Sequence, residues 1–337
     1  MEKFKQIRKT VSYLFFWVLG FLLLYLAFRN QKLEDIWDTL LTADITWALL
    51  VFAISIFSHI IRVLRWRLLI QPLGYFPNAF QLYVGLLFGY LVSYAIPRLG
   101  EISRCVAVNR TENVPFSPML GTVVTERLVD ILCLFFMLLL AIVVEQELLY
   151  QFYREQLHAD LSLLVTNHLE EIRTIGITIV LLGTLGLAFV INRWKMIKKL
   201  PPIRKVLAFV LKIVRGVTTI FRMENSLLFM LYTIAIWMSY FLMTYLWFFS
   251  FEESSHLGLK AGLVLLVIGS FGRSLPIQGG GFGAYHFVFT QGMMMYGITE
   301  LYGGALAIMI HGLQTVYYLI VGGLATLYLM FIKKVIR

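Results

Sequence analysis

The feature that most limits this chain is its division into long apolar blocks. They run at 11–28, 46–64, 80–96, 117–144, 174–191, 226–249, 259–275 and 303–331, with a shorter apolar arm at 284–296. At about 1.5 Å of rise per helical residue, most of these blocks are long enough to cross about 30 Å of hydrocarbon. A helix satisfies its own peptide groups there, so the expected fold is an all-α polytopic membrane protein of about eight spans in one transmembrane domain, residues 1–337. Composition agrees: 59% of residues are hydrophobic and 14% charged, against roughly half and about a quarter in soluble domains.

The first block follows Lys3, Lys5, Arg8 and Lys9, as the core of a secretory leader would. It is too long for one and ends in Ala27, Phe28, Arg29 and Asn30 without a small-residue cleavage site, so it reads as a first helix. Cys105 and Cys133 both lie among apolar residues and imply neither a disulfide framework nor a zinc site. The formal charge of +10 would suggest nucleic-acid binding in a soluble protein. Here the basic residues sit in short segments between apolar blocks, which points to topology and anionic lipid as the partner, and not to nucleic acid.

Those segments orient the chain. The run holding Arg193, Lys195, Lys198, Lys199, Arg204, Lys205, Lys212, Arg215 and Arg222 is expected in the cytoplasm with both termini, and the acidic connection 145–173 outside. Basic loops at Arg62, Arg65, Arg67 and at Arg98, Arg104, Arg110 flank block 80–96, so a simple crossing would strand one of them. The block stops at Pro97, and 80–109 is therefore expected to be a re-entrant hairpin entering from the cytoplasm. Parity demands a second hairpin at 259–297, broken at Pro276 and the glycines Gly279, Gly280, Gly281 and Gly283, entering from outside. The halves, about 1–150 and 170–337, then form an inverted repeat of the kind found in transporters.

Charges within apolar spans cost about 2.5–3.5 kcal/mol each and mark candidate sites. Glu126 and Asp130 share a helix face, and Arg127 reaches Asp130 at i+3. Either they neutralise each other or they line a hydrated cavity near the first hairpin. Arg98, Glu101 and Arg104 fall three apart, so that two guanidinium forks would hold phosphate oxygens with Glu101 fixing them; the plain alternative is ordinary headgroup contact. Arg273, just before the second break, is the expected counterpart of Arg98, and the backbone around Gly279 and Gly280 a possible anion seat. His59, His286 and His311 show no ligand spacing and read as hydrogen-bonded structural residues, with no metal or cofactor implied. Arg62, Arg65 and Arg67 read as anchors of a helix end beside Trp66. Ser274 with His286 is a weak hint of an intramembrane hydrolase, without a nucleophile elbow to support it.

Two strings carry a family resemblance: Pro97-Arg98-Leu99-Gly100-Glu101-Ile102-Ser103-Arg104 and Glu126-Arg127-Leu128-Val129-Asp130. With the glycine-rich second break, they make the whole chain resemble the flippase-like transmembrane family shared with the membrane half of lysylphosphatidylglycerol synthases. Members often carry a proline before the paired glycines and a glutamate soon after; Gln278 and the Tyr285–His286 pair stand here instead. No aminoacyl transferase domain follows the last helix, so the resemblance implies lipid translocation and not synthesis. The expected substrate is an anionic or phosphate-bearing lipid of a cytoplasmic membrane, held by Arg98, Arg104, Arg127 and Arg273. The rival readings are an embedded enzyme acting on a lipid phosphate and a partner of a separately encoded transferase. No G-x-x-x-x-G-K loop is present to use ATP directly.

Overall fold

The computed structural model describes residues 2–148 and 223–332, with side chains from residue 14 onward. Block 174–191, the basic run 193–222, the basic C-terminus and all but the start of the acidic connection lie outside the described residues. Ten principal helices are described: α1 (Glu2–Phe28), α2 (Leu33–Leu41), α3 (Ile45–Ile70), α4 (Ala79–Ala95), α5 (Leu99–Glu112), α6 (Phe116–Val144), α7 (Ser226–Leu246), α8 (Leu259–Ser274), α9 (Ala284–Met294) and α10 (Glu300–Phe331). There is no strand among the described residues.

Among the described residues, four stretches are long and apolar enough to cross a membrane: Ile45–Leu73, Phe116–Val144, Ser226–Ser250 and Glu300–Phe331. A fifth is the pair α1–α2, bent by 77°. Their outward faces are apolar, as with Ile131, Phe135, Phe136 and Val143 on α6 and Leu319, Ile320 and Leu327 on α10, surfaces that lipid tails cover and water would not tolerate. The chain is a multi-pass membrane protein. The short helix α2 was not anticipated. It buries Ile36 and Thr39 and exposes Leu33, Trp37 and Leu41 one turn apart, an apolar stripe on its outward face.

The start and stop signals act locally. The side chains of Asp44 and Asn78 accept the N–H groups of Thr46 (2.9 Å) and Phe80 (2.8 Å), capping α3 and α4. Pro97 ends α4: Ile96 before it is extended, and Arg98 turns the chain with φ at +66°. Helices α4 and α5 then run antiparallel, with Gly89 against Gly100 and Gly85 against Arg104 and Val108. Glu112 accepts the Asn78 N–H (3.1 Å) across the open end. Helices α8 and α9 form a second antiparallel pair, with Gly272 against Tyr285 and Gly292 against Leu265 and Ile268. Their connection carries positive φ at Gly279, Gly280, Gly281 and Gly283, conformations that only glycine adopts freely.

Cross-links order the ends of the bundle. Asp44 N–H donates to the Ser250 carbonyl (2.9 Å) and Gln31 Nε2 to the Glu300 carbonyl (3.1 Å), gathering residues 31, 44, 250 and 300. At the opposite end Gln81 Nε2 donates to Tyr328 Oη (2.8 Å). The first hairpin opens beside Tyr328. The second opens between Ser250 and Glu300. Their tips meet where the Tyr94 ring lies against Gly280, about 3.0 Å from the position a Cβ there would take.

Candidate functional site

Glu126 lies ten residues into α6, roughly 15 Å from its start, and is wholly buried. An isolated carboxylate there would be very costly, and the fold answers with guanidinium groups from three helices. Arg62 Nε on α3 donates to Glu126 Oε1 at 2.9 Å, and Arg104 Nη2 on α5 donates to Oε2 at 2.8 Å. Arg65 Nη2, one turn beyond Arg62, donates to Asp130 Oδ1 at 2.7 Å and reaches Glu126 Oε1 at 3.5 Å. Arg62 Nη2 spans to Asp130 Oδ2 (3.3 Å), and Arg127 pairs with Glu101 (3.0 Å) and Asp130 (3.6 Å). Four guanidinium groups thus face three carboxylates, leaving one positive charge in excess.

Second contacts fix these arginines. Arg62 Nη1 donates to Tyr240 Oη (3.1 Å) and Arg65 Nη1 to Thr233 Oγ1 (3.4 Å), both on α7. The Arg104 guanidinium lies 4.5 Å over the Trp66 ring, whose Nε1 donates to Thr122 Oγ1 at 2.9 Å. Arg104 Nε and Nη1 are buried without hydrogen-bond partners. The network comes to the surface at Arg127 and Glu101, whose side chains are 34% and 40% exposed. An anion reaching that edge would meet a positive site already organised.

Of the residues singled out from the sequence, Glu101, Arg104, Glu126, Arg127 and Asp130 come together. Arg98 does not join them. It precedes the first turn of α5, so helical spacing does not carry it to the side of Arg104; it is exposed at the hairpin tip while Arg104 is buried. Arg62 and Arg65 require correction. They are not helix-end anchors, because α3 continues to Ile70, and both they and Trp66 are buried in the network. The signal was present in Leu68, Leu69 and Ile70, which extend the apolar block beyond the arginines.

Arg273, Gly279 and Gly280 occupy the other hairpin. The Arg273 guanidinium lies 4.2 Å over the Tyr285 ring, and the Tyr285 and His311 rings stack at 5.7 Å. His286 and His311 were not expected to converge, yet their ring centroids are 4.8 Å apart because α9 folds back onto α10. His59 behaves as expected, within hydrogen-bonding distance of Tyr318 Oη (3.2 Å) and Tyr317 Oη (3.4 Å). Ser274 does not face His286: its hydroxyl donates to the Phe271 carbonyl, and His286 Nδ1 accepts the Gly283 N–H. A half-open cavity of about 320 Å³ between α1, α9 and α10, lined by Arg29, Asn30, Gln291 and Glu300 among others, shares no residue with the arginine network.

A UPF0104 membrane protein of Methanocaldococcus jannaschii is 26% identical over 133 residues, 39% of this chain and 38% of that protein. The chain therefore matches well under half the length of that relative. No solved structure matches. The model of the lysylphosphatidylglycerol synthase transmembrane region matches residues 11–322, taking in both hairpins and the arginine network. By that match, the chain belongs to the lysylphosphatidylglycerol synthase transmembrane-region family.

Proposed function

We propose that this protein moves a phosphate-bearing anionic lipid between the leaflets of a membrane. The observation that carries the reading is the arginine network: an excess positive charge, built at depth within membrane-length helices, that opens to the surface through Arg127 beside Glu101. Charges held at such cost within apolar helices usually serve a substrate path. A headgroup phosphate would approach Arg127 and the exposed Arg98, with Glu101 holding the Arg127 fork in place.

An inverted repeat supplies the motion. Helices α3, α4, α5 and α6 correspond to α7, α8, α9 and α10, and the packing supports the pairing. Helix α4 lies on α10 as α6 lies on α8; α3 lies on α4 as α7 lies on α8; α5 lies on α6 as α9 lies on α10; and α3 meets its own counterpart α7. In this arrangement the two hairpins are re-entrant from opposite faces, and rocking of the halves exposes the site to each side in turn.

The test is leaflet exchange. Liposomes holding the purified protein and a fluorescent phosphatidylglycerol, quenched from outside, should lose more than half of their signal, faster than protein-free liposomes. Arg98→Ala and Arg127→Ala should slow the loss by about tenfold or more, one charge-assisted contact each. Rates equal to those of empty liposomes would reject transport of that lipid.

A further inference from the structure

We infer that Arg273, His286 and His311 form a second site, which takes up a phosphodiester anion together with a proton. The second hairpin holds a cation with no counter-charge. No Asp or Glu occurs between Glu253 and Glu300, and among the described residues no carboxylate pairs with Arg273. Its guanidinium rests on the Tyr285 ring instead, with Nε buried and unpartnered, while neighbouring Ser274 and Leu275 are exposed. An anion therefore has a way in and a charge to meet.

Behind Tyr285 lie the two imidazoles. His286 and His311 are 4% and 5% exposed, and His311 Nε2 has no hydrogen-bond partner. The groups facing them come from every side. Helix α1 contributes Phe28, the glycine-rich turn Phe282, α4 the Tyr94 hydroxyphenyl ring, α8 Arg273, and α9 Tyr285. None is an acid. With Arg273 charged and no carboxylate beside it among the described residues, a proton on either ring would place a second positive charge next to it, the Gly279 and Gly280 backbone that hydrogen-bonds the His311 ring being the one polar offset. Binding an anion at Arg273 removes that penalty, so anion and proton favour each other, and by linkage the effect is reciprocal. This step rests on the transport reading for its purpose, as proton-coupled movement of lipid, though not for its physical basis.

The test uses full-length protein in detergent with dioctanoyl phosphatidylglycerol, whose phosphodiester does not itself titrate near neutrality, and with glycerophosphoglycerol as the lipid-free source of the same anion. Calorimetry in buffers of different ionisation enthalpy reads proton uptake on binding. Uptake of about one proton per anion is expected at pH 6, falling toward none at pH 8, with binding roughly tenfold tighter at pH 6 than at pH 8. His311→Gln should abolish the uptake while leaving binding measurable, Arg273→Gln should abolish both at this site, and Arg273→Lys, which keeps the charge, should retain both. Binding of the headgroup alone would assign the site to free phosphodiesters, and binding only of the lipid would assign it to membrane substrate. Anion binding with no proton uptake, or uptake unchanged in His311→Gln, overturns the inference even where leaflet exchange is intact. Proton-linked binding without leaflet exchange overturns transport and leaves this site standing.

Discussion

Glu126 is held by Arg62, Arg65, Arg104 and Arg127 and has no access to water. Its charge is worth little as a net attraction, since desolvating the ions offsets most of the Coulomb gain, but removing it alone strands the buried Arg104 and leaves Arg62 and Arg65 to share Asp130. Glu126→Gln is expected to destabilise the protein by about 3–5 kcal/mol, read as a fall in thermal midpoint in detergent. Adding Arg104→Met should recover part of the loss, because Arg104 touches Glu126 and no other carboxylate. A double variant no more stable than Glu126→Gln would show that the pairs are not the reason. This pairing was half visible in the sequence. The spacing of Glu126, Arg127 and Asp130 lies within one helix and is readable, whereas Arg62 and Arg65 are 61 to 68 positions away and meet the acids only through helix packing.

The hairpins are legible for a different reason. Proline and glycine act on their immediate neighbours, so Pro97 and the run from Gly279 to Gly283 mark the tips directly, and the helix limits fall within a few residues of the apolar blocks except at the start of α1 and the end of α3. Packing between the arms depends on residues with nothing to pack. A Cβ at Gly100 would meet the Gly89 carbonyl and Ser93 Oγ. Gly100→Ala should therefore push α4 from α5 and cost about 1–3 kcal/mol, whereas Gly121→Ala, with open space around it on α6, should be neutral or slightly stabilising. Equal thermal midpoints for the two variants would argue against close approach of the arms. Helix α2 escaped notice because nine residues with Glu34, Asp35 and Asp38 look like a polar connection until their outward stripe is traced.

At the scale of the whole molecule, the opposed openings of the hairpins make a claim about sidedness. In a variant lacking Cys105 and Cys133, single cysteines at Phe76, beside the mouth of the first hairpin, and at Leu259, at the mouth of the second, are both expected to react with a membrane-impermeant maleimide. They should do so from opposite sides of the membrane, Phe76→Cys from the cytoplasmic face. Labelling of both from one face would end the inverted arrangement. The contact between tips also carries a mechanical meaning. Gly280 offers Tyr94 a seat only because it has no side chain, and that ring is the bearing on which two opposed levers rest. If the halves rock as proposed, neither hairpin can retract without lifting the ring off its support, so a doorway opened toward one compartment would be felt at once on the other side.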